Sequence, residues 1–243
     1  MERKRYLELL ASDGALLRAA AAAQLDAPVP SCAGWTVRDV LMHVAEVYEH
    51  KMACIALAGQ KPAPWPPPDW AAERDPVEWY DDAHGRVLDV LRTADPRAPS
   101  WTWWPAEQTA GFWVRRMAQE TAVHRFDAQS ASGQPAAIDA ELALDGIDEV
   151  LTMFLAGDWS DAPQPGSTGT VAVATGTQAW RVMMTPQQVD LVHGDGDAQA
   201  RVTGAASPLL LWLWGRAPSA QLDLAGDGGV IDRLRARLAV ATQ

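Results

Sequence analysis

Cysteine is scarce in this chain: only Cys32 and Cys54 occur in 243 residues. Two cysteines outside any CxxC pair exclude a disulfide framework, and the expected compartment is a reducing cytoplasm. Positive charge is also scarce. Lysine plus arginine total 20 against 31 acidic residues, a formal charge of −11, so broad attraction to nucleic acid or anionic lipid is excluded. No apolar run approaches the roughly 20 residues of a membrane span. The segment Met1–Leu10 carries Glu2, Arg3, Lys4 and Arg5, and Glu8 and Asp13 interrupt its apolar residues, so no signal-peptide core is expected there. Phenylalanine occurs three times against twelve tryptophans, and lysine three times against seventeen arginines; the arginine bias and the many alanines point to a GC-rich genome. With 48% hydrophobic and 21% charged residues, the chain can bury a core, and its length fits one large domain or two small ones.

Hydrophobic spacing divides the chain into two regions. Helical periodicity covers Glu2 to Leu25, stopped by Pro28 and Pro30. Thr36 and Asp39 make a capping-box-like start to a second helix reaching about Ala58, with Val37, Val40, Leu41, Val44 and Val47 as its apolar stripe. Five prolines, Pro62, Pro64, Pro66, Pro67 and Pro68, predict a stiff non-helical crossover over Gly59 to Trp70. A third helix is expected from Pro76 to Thr93 and a fourth from about Thr109 to Ser130, with the tryptophan-rich loop Asp95 to Pro105 between them. A further helix, Asp139 to Leu155, is expected to finish this half. Beyond the Pro/Gly-rich stretch Asp161 to Gly169 the pattern changes to short strands: 170–174, 179–184, 188–192 and 198–203. A helix over 207–214, a strand near 222–224 and a last helix over 229–241 complete the reading. The fold class is therefore α+β, a four-helix bundle over 1–160 followed by a smaller α/β domain over 166–243.

The fourth helix carries Glu120 and His124, an i,i+4 pair on one face. His43, close to the apolar stripe of the second helix, would complete a two-histidine, one-carboxylate set if the helices face each other. Such a set suits Zn²⁺, Fe²⁺ or Ni²⁺ and leaves coordination positions open. By spacing alone, an exposed ion pair or a satisfied histidine is the commoner explanation of Glu120 and His124. His50 is a candidate replacement ligand nearer the helix end, and His84 and His193 read as surface or loop residues. Trp101, Trp103, Trp104 and Trp113 either line a pocket above the metal or seal the end of the bundle. Cys32 reads as packing, not as a nucleophile. Asp127 could orient a ligand histidine, but pairing with an arginine is the commoner role. Arg216, ending the apolar run Leu209–Gly215, either caps a helix or holds a substrate carboxylate.

The run Ser31-Cys32-Ala33-Gly34-Trp35-Thr36-Val37-Arg38-Asp39-Val40-Leu41-Met42-His43-Val44 resembles a signature of the mycothiol-dependent maleylpyruvate isomerase family, within the DinB-like metal-binding superfamily. Gly111-Phe112-Trp113 to Arg116 with Glu120-Thr121-Ala122-Val123-His124-Arg125-Phe126-Asp127-Ala128 is similar to its second signature, and Leu210-Leu211-Trp212-Leu213-Trp214-Gly215-Arg216 to its C-terminal motif. The resemblance implies a DinB-like bundle holding a divalent metal, usually zinc, through His43, Glu120 and His124, with Arg216 matching an active-site arginine. It further implies mycothiol, the small thiol of actinobacteria, as cosubstrate, and a small electrophile as its partner in isomerisation or S-transfer. A catalytically inactive metal- or thiol-binding stress-response protein would keep the same ligands.

Overall fold

The structure, a computed structural model, describes residues 1–63, 74–133 and 135–242. Of the five prolines read as a crossover, only Pro62 lies among them. The chain forms two compact units, Met1–Ile138 and Asp139–Gln243.

The first unit is a four-helix bundle of α1 (Arg3–Ala22), α2 (Val37–Ala56), α3 (Pro76–Thr93) and α4 (Ala110–Ser130). α1 packs along α4 and α2 along α3, while α2 and α4 also meet directly. α2 starts where the sequence indicates, because Thr36 and Asp39 form a reciprocal capping box: the Asp39 carboxylate accepts from the Thr36 amide at 2.7 Å. Those hydrogen bonds with Thr36 hold the Asp39 carboxyl below its ordinary range. α3 begins with Pro76 in its first turn behind the Asp75 cap.

α2 and α4 are entered in the same way. An antiparallel bridge pairs Pro28 with Thr36 just before α2, and another pairs Pro99 with Thr109 just before α4. Each bridge closes a short loop against the helix it precedes, so the loop side chains are held beside the first turns. His84 departs from the expected surface position: it is half-buried on α3, its ring stacked on Tyr80 at 5.6 Å. Gly14 makes room for it, since a Cβ there would lie 2.1 Å from the His84 ring. Burial lowers the His84 pKa accordingly.

The second unit begins with α5 (Ala140–Glu149), which runs into a π-helical segment, Val150–Leu155. The unit boundary at Ile138 falls well before the expected residue 160. The reason is packing: α5 buries Leu142, Ala143 and Ile147 and packs on α6 (Ala206–Leu213), in its own unit. α6 is apolar on nearly every side and is buried throughout Leu209–Leu213. A six-stranded sheet follows, built from β1 (Gly157–Asp158), β2 (Gly169–Thr175), β3 (Gln178–Met184), β4 (Gln188–His193), β5 (Ala200–Thr203) and β6 (Asp223–Gly226). Its order is β1-β4-β3-β2-β5-β6, antiparallel except for the parallel pair β2 and β5. β3 alternates, with Trp180, Val182 and Met184 buried on one face, and α7 (Gly228–Ala241) packs on β2 and β5.

Candidate metal centre

His43 projects from α2 and Glu120 and His124 from α4, and their ligand-type atoms all lie within 4.8 Å of one another. Glu120 Oε1 is 3.2 Å from His43 Nε2 and 3.4 Å from His124 Nε2. Ligands about 2.0–2.1 Å from a tetrahedral zinc sit roughly 3.3 Å apart, so this spacing fits one divalent ion as well as it fits hydrogen bonds. The donor set, two imidazole nitrogens and one carboxylate oxygen, suits a borderline cation and leaves it net positive.

The surroundings fix each of these side chains. Asp127, fully buried, stands 3.0 Å from His124 Nδ1 through Oδ2, which directs Nε2 toward Glu120. Ser31 donates to the other Asp127 oxygen at 2.6 Å, and the Cys32 thiol lies 3.6 Å from Oδ2. Asp127 therefore supports a histidine, the less common of the two roles open to it from sequence. The Arg116 guanidinium, one turn before Glu120, donates to Glu120 Oε2 and leaves Oε1 for the histidines. One turn further along α2, the Tyr48 hydroxyl pairs with Thr121 at 2.6 Å, and Thr121 donates to the Met117 carbonyl, which ties α2 to α4 beside the cluster.

These contacts set the protonation states of the metal-free cluster. Burial alone would raise the Glu120 pKa, but hydrogen bonds with His124 and His43 and the Arg116 charge hold it well below the ordinary carboxylate range. Burial would lower that of His124, but Asp127 and Glu120 on either side of the ring raise it to about 9. A cation and a proton thus compete for the same nitrogen.

The tryptophan facing the ligand pair is Trp35, which sequence reasoning did not single out. Its ring is 5.2 Å from His43 and stacks at 6.5 Å over His124. With Gly34, Asp39, Met42, His43 and Glu46 it lines an open depression of ≈ 400 Å³, so Glu46 borders the cluster without joining it. His43, with a side chain 35% exposed, connects this depression to the candidate centre. The aromatic loop serves a different place. Trp113 is buried and donates to Ser100 at 2.9 Å, while Trp103 packs edge-on against Phe112. His50, near Trp101, is not part of the cluster. Its Nδ1 lies 2.8 Å from the Lys51 ammonium, and burial together with that charge lowers its pKa to about 4. In the second unit, His193 at the end of β4 pairs with Asp148 at 2.7 Å. Arg216 follows the C-terminus of α6, donates to the Trp214 carbonyl at 2.7 Å and lies over the Trp214 ring.

A helical bundle with two histidines and a carboxylate converging from facing helices, joined to an α/β unit, defines a bundle protein with a candidate metal centre. Residues 8–129 match the mycothiol maleylpyruvate isomerase N-terminal domain, and residues 141–233 match the C-terminal domain of the same family. The chain belongs to the mycothiol maleylpyruvate isomerase family, which classes it as an enzyme of the isomerase type. Two crystal structures resemble it across 93% of this chain and 95% of theirs, both with a TM-score of 0.65. One is of the mycothiol-dependent maleylpyruvate isomerase at 14% identity, and the other is of a histidine-to-alanine mutant of that isomerase at 13%. At that identity they establish the shared fold. No curated protein matches. Among the described residues no helix is long and apolar enough to cross a membrane.

Proposed function

We propose that this chain is a divalent-metal-dependent enzyme that uses mycothiol to isomerise, or transfer sulfur to, a small electrophile. The observation that carries this reading is the approach of three ligand-type atoms from α2 and α4 to within 4.8 Å of one another. His43, Glu120 and His124 would hold the ion, with zinc the first candidate for this donor set. A bound divalent ion would supply the positive charge that favours thiolate over thiol.

The protein's own groups prepare that chemistry. Asp127 holds His124 in one tautomer, and Arg116 neutralises the Glu120 oxygen turned away from the histidines. Trp35 covers the two imidazoles, so the open side of the cluster is bounded by an apolar ring. Addition of a thiolate to a conjugated double bond leaves a single bond that can rotate, and elimination then returns the thiol and the isomerised product. In the transferase variant the adduct is released. Arg216 would bind a substrate carboxylate through its planar guanidinium. Two free cysteines suit a reducing cytoplasm.

Metal-loaded protein mixed with mycothiol and a panel of electrophiles, maleylpyruvate included, tests this reading. Product isomer with thiol regenerated identifies an isomerase, and stoichiometric thiol consumption identifies a transferase. No rate above the uncatalysed reaction with any acceptor would leave a binding protein. Arg216→Ala is expected to weaken turnover of carboxylated substrates without changing metal content, and unchanged kinetics would return Arg216 to helix capping.

A further inference from the structure

The chain has three lysines, and two of them stand on tryptophans at the aromatic-loop end of the bundle. Lys51 Nζ lies 5.0 Å above the Trp113 ring and Lys61 Nζ 5.5 Å above Trp101. Lys51 is partly buried, and among the described residues no carboxylate lies within ion-pair distance of it; its close polar neighbour is His50 Nδ1 at 2.8 Å. A partly buried ammonium resting on one indole ring and an imidazole, with no carboxylate in contact, keeps donors that an arriving anion could take up.

Lys51 stands eight residues after His43 on α2, about 12 Å further along the helix axis. Its side chain leans back toward the helix N-terminus, as helical side chains do, and therefore toward the cluster. Trp113, beneath it, lies on α4 two turns before Glu120, with Arg116 between them. Burial lowers the Lys51 pKa, and the carboxylates of Glu120 and Glu46 act against that from a distance while Arg116 adds to it. One seam of the bundle thus carries a candidate metal centre at one position and, about two turns further along α2, an ammonium with no carboxylate in contact.

We propose that Lys51, propped on Trp113 and hydrogen-bonded to His50, is a specificity-determining residue that binds a carboxylate of the electrophilic substrate. The role rests on the proposed function and assigns to Lys51 the recognition of the acid group. Trp113 holds the ammonium in place by cation–π attraction, and His50, accepting from it, keeps a second positive charge from forming beside it.

The test uses metal-loaded full-length chain as wild type, Lys51→Met and Lys51→Arg. Calorimetric titration with maleate, a small dicarboxylate, gives a readout independent of turnover, with dimethyl maleate as the uncharged control. The expected result is maleate binding weakened roughly tenfold or more in Lys51→Met and partly restored in Lys51→Arg, with ester binding and metal content unchanged. Equal affinity of wild type and Lys51→Met for maleate, no saturable maleate binding to wild type, or equal losses for acid and ester would overturn it. Equal losses are what a lysine that only supports Trp113 would give. Maleate binding that needs Lys51 in a protein without turnover would keep the anion site while removing the enzymatic reading.

Discussion

Arg116 and Arg125 both lie on α4 with less than a tenth of their side chains exposed, yet their partners differ in kind. Arg125 turns to α1 and to the chain leaving α4. It lies 3.0 Å from Asp13 Oδ1, with Nε not aligned on that oxygen for a hydrogen bond, and donates to Gln129 and to the carbonyls of Ala136 and Ala137. Arg116 pairs with Glu120 one turn further along the same helix, and the other Glu120 oxygen faces two histidines. The first arginine fastens α4 to α1 and to the segment that follows α4. The second belongs to a charge cluster whose balance changes when a cation arrives. One helix therefore keeps a face for stability and a face for chemistry, and mutations on the two faces should separate these properties.

The largest expected effect is on the stability face. Arg125→Ala leaves Asp13 buried without its ion partner and should cost about 3–5 kcal/mol in chemical denaturation, with metal per folded chain unchanged. On the other face, Asp127→Asn should weaken metal affinity about 10–100-fold in competition with a chelator while moving the denaturation midpoint far less. Loss of stability without loss of metal affinity in that variant would erase the contrast.

The pH dependence sharpens it. In the metal-free protein His124 stays protonated up to about pH 9, and the ion must displace that proton. Apparent metal affinity should therefore rise close to tenfold per pH unit below about 9 and level off above it. The raised pKa also means that the His124 contribution to metal-free stability is complete below its ordinary value of about 6.5. It is lost as pH climbs through about 9. Metal-loaded protein should lack that decline, which thermal unfolding across pH can show. The smallest effect is expected at the entrance to α2: Thr36→Ala removes the helix cap and should cost about 1 kcal/mol, with metal stoichiometry intact.

The bundle was legible because its helices carry local boundary signals. The capping box at Thr36, Pro76 in the first turn of α3, and Gly133 beyond α4 each act within a few residues. The candidate ligands were legible for a similar reason: Glu120 and His124 are one turn apart, and His43 adjoins an apolar stripe that had to face inward. Trp35 and Ser31 were not, and Asp127 was legible only as one of two roles, because these residues meet only when the bridge between Pro28 and Thr36 closes the loop before α2 onto the far part of α4. No local pattern reports such a closure. Arg116 had an i,i+4 signal toward Glu120, but an exposed helical ion pair gives the same signal. The unit boundary was misplaced because the periodicity of α5 states that it has an apolar face without stating that α6 will cover it. The strand β1, two residues long, is too short to show any period.

X-ray absorption at the metal edge, combined with metal stoichiometry on wild type and on His43→Ala, Glu120→Gln and His124→Ala, addresses the central claim most directly. One divalent ion per wild-type chain, surrounded by two imidazole nitrogens, one carboxylate oxygen and an exchangeable oxygen ligand, and lost or loosened in each variant, is the expected result. An ion held with unchanged stoichiometry and spectrum in all three variants would contradict it.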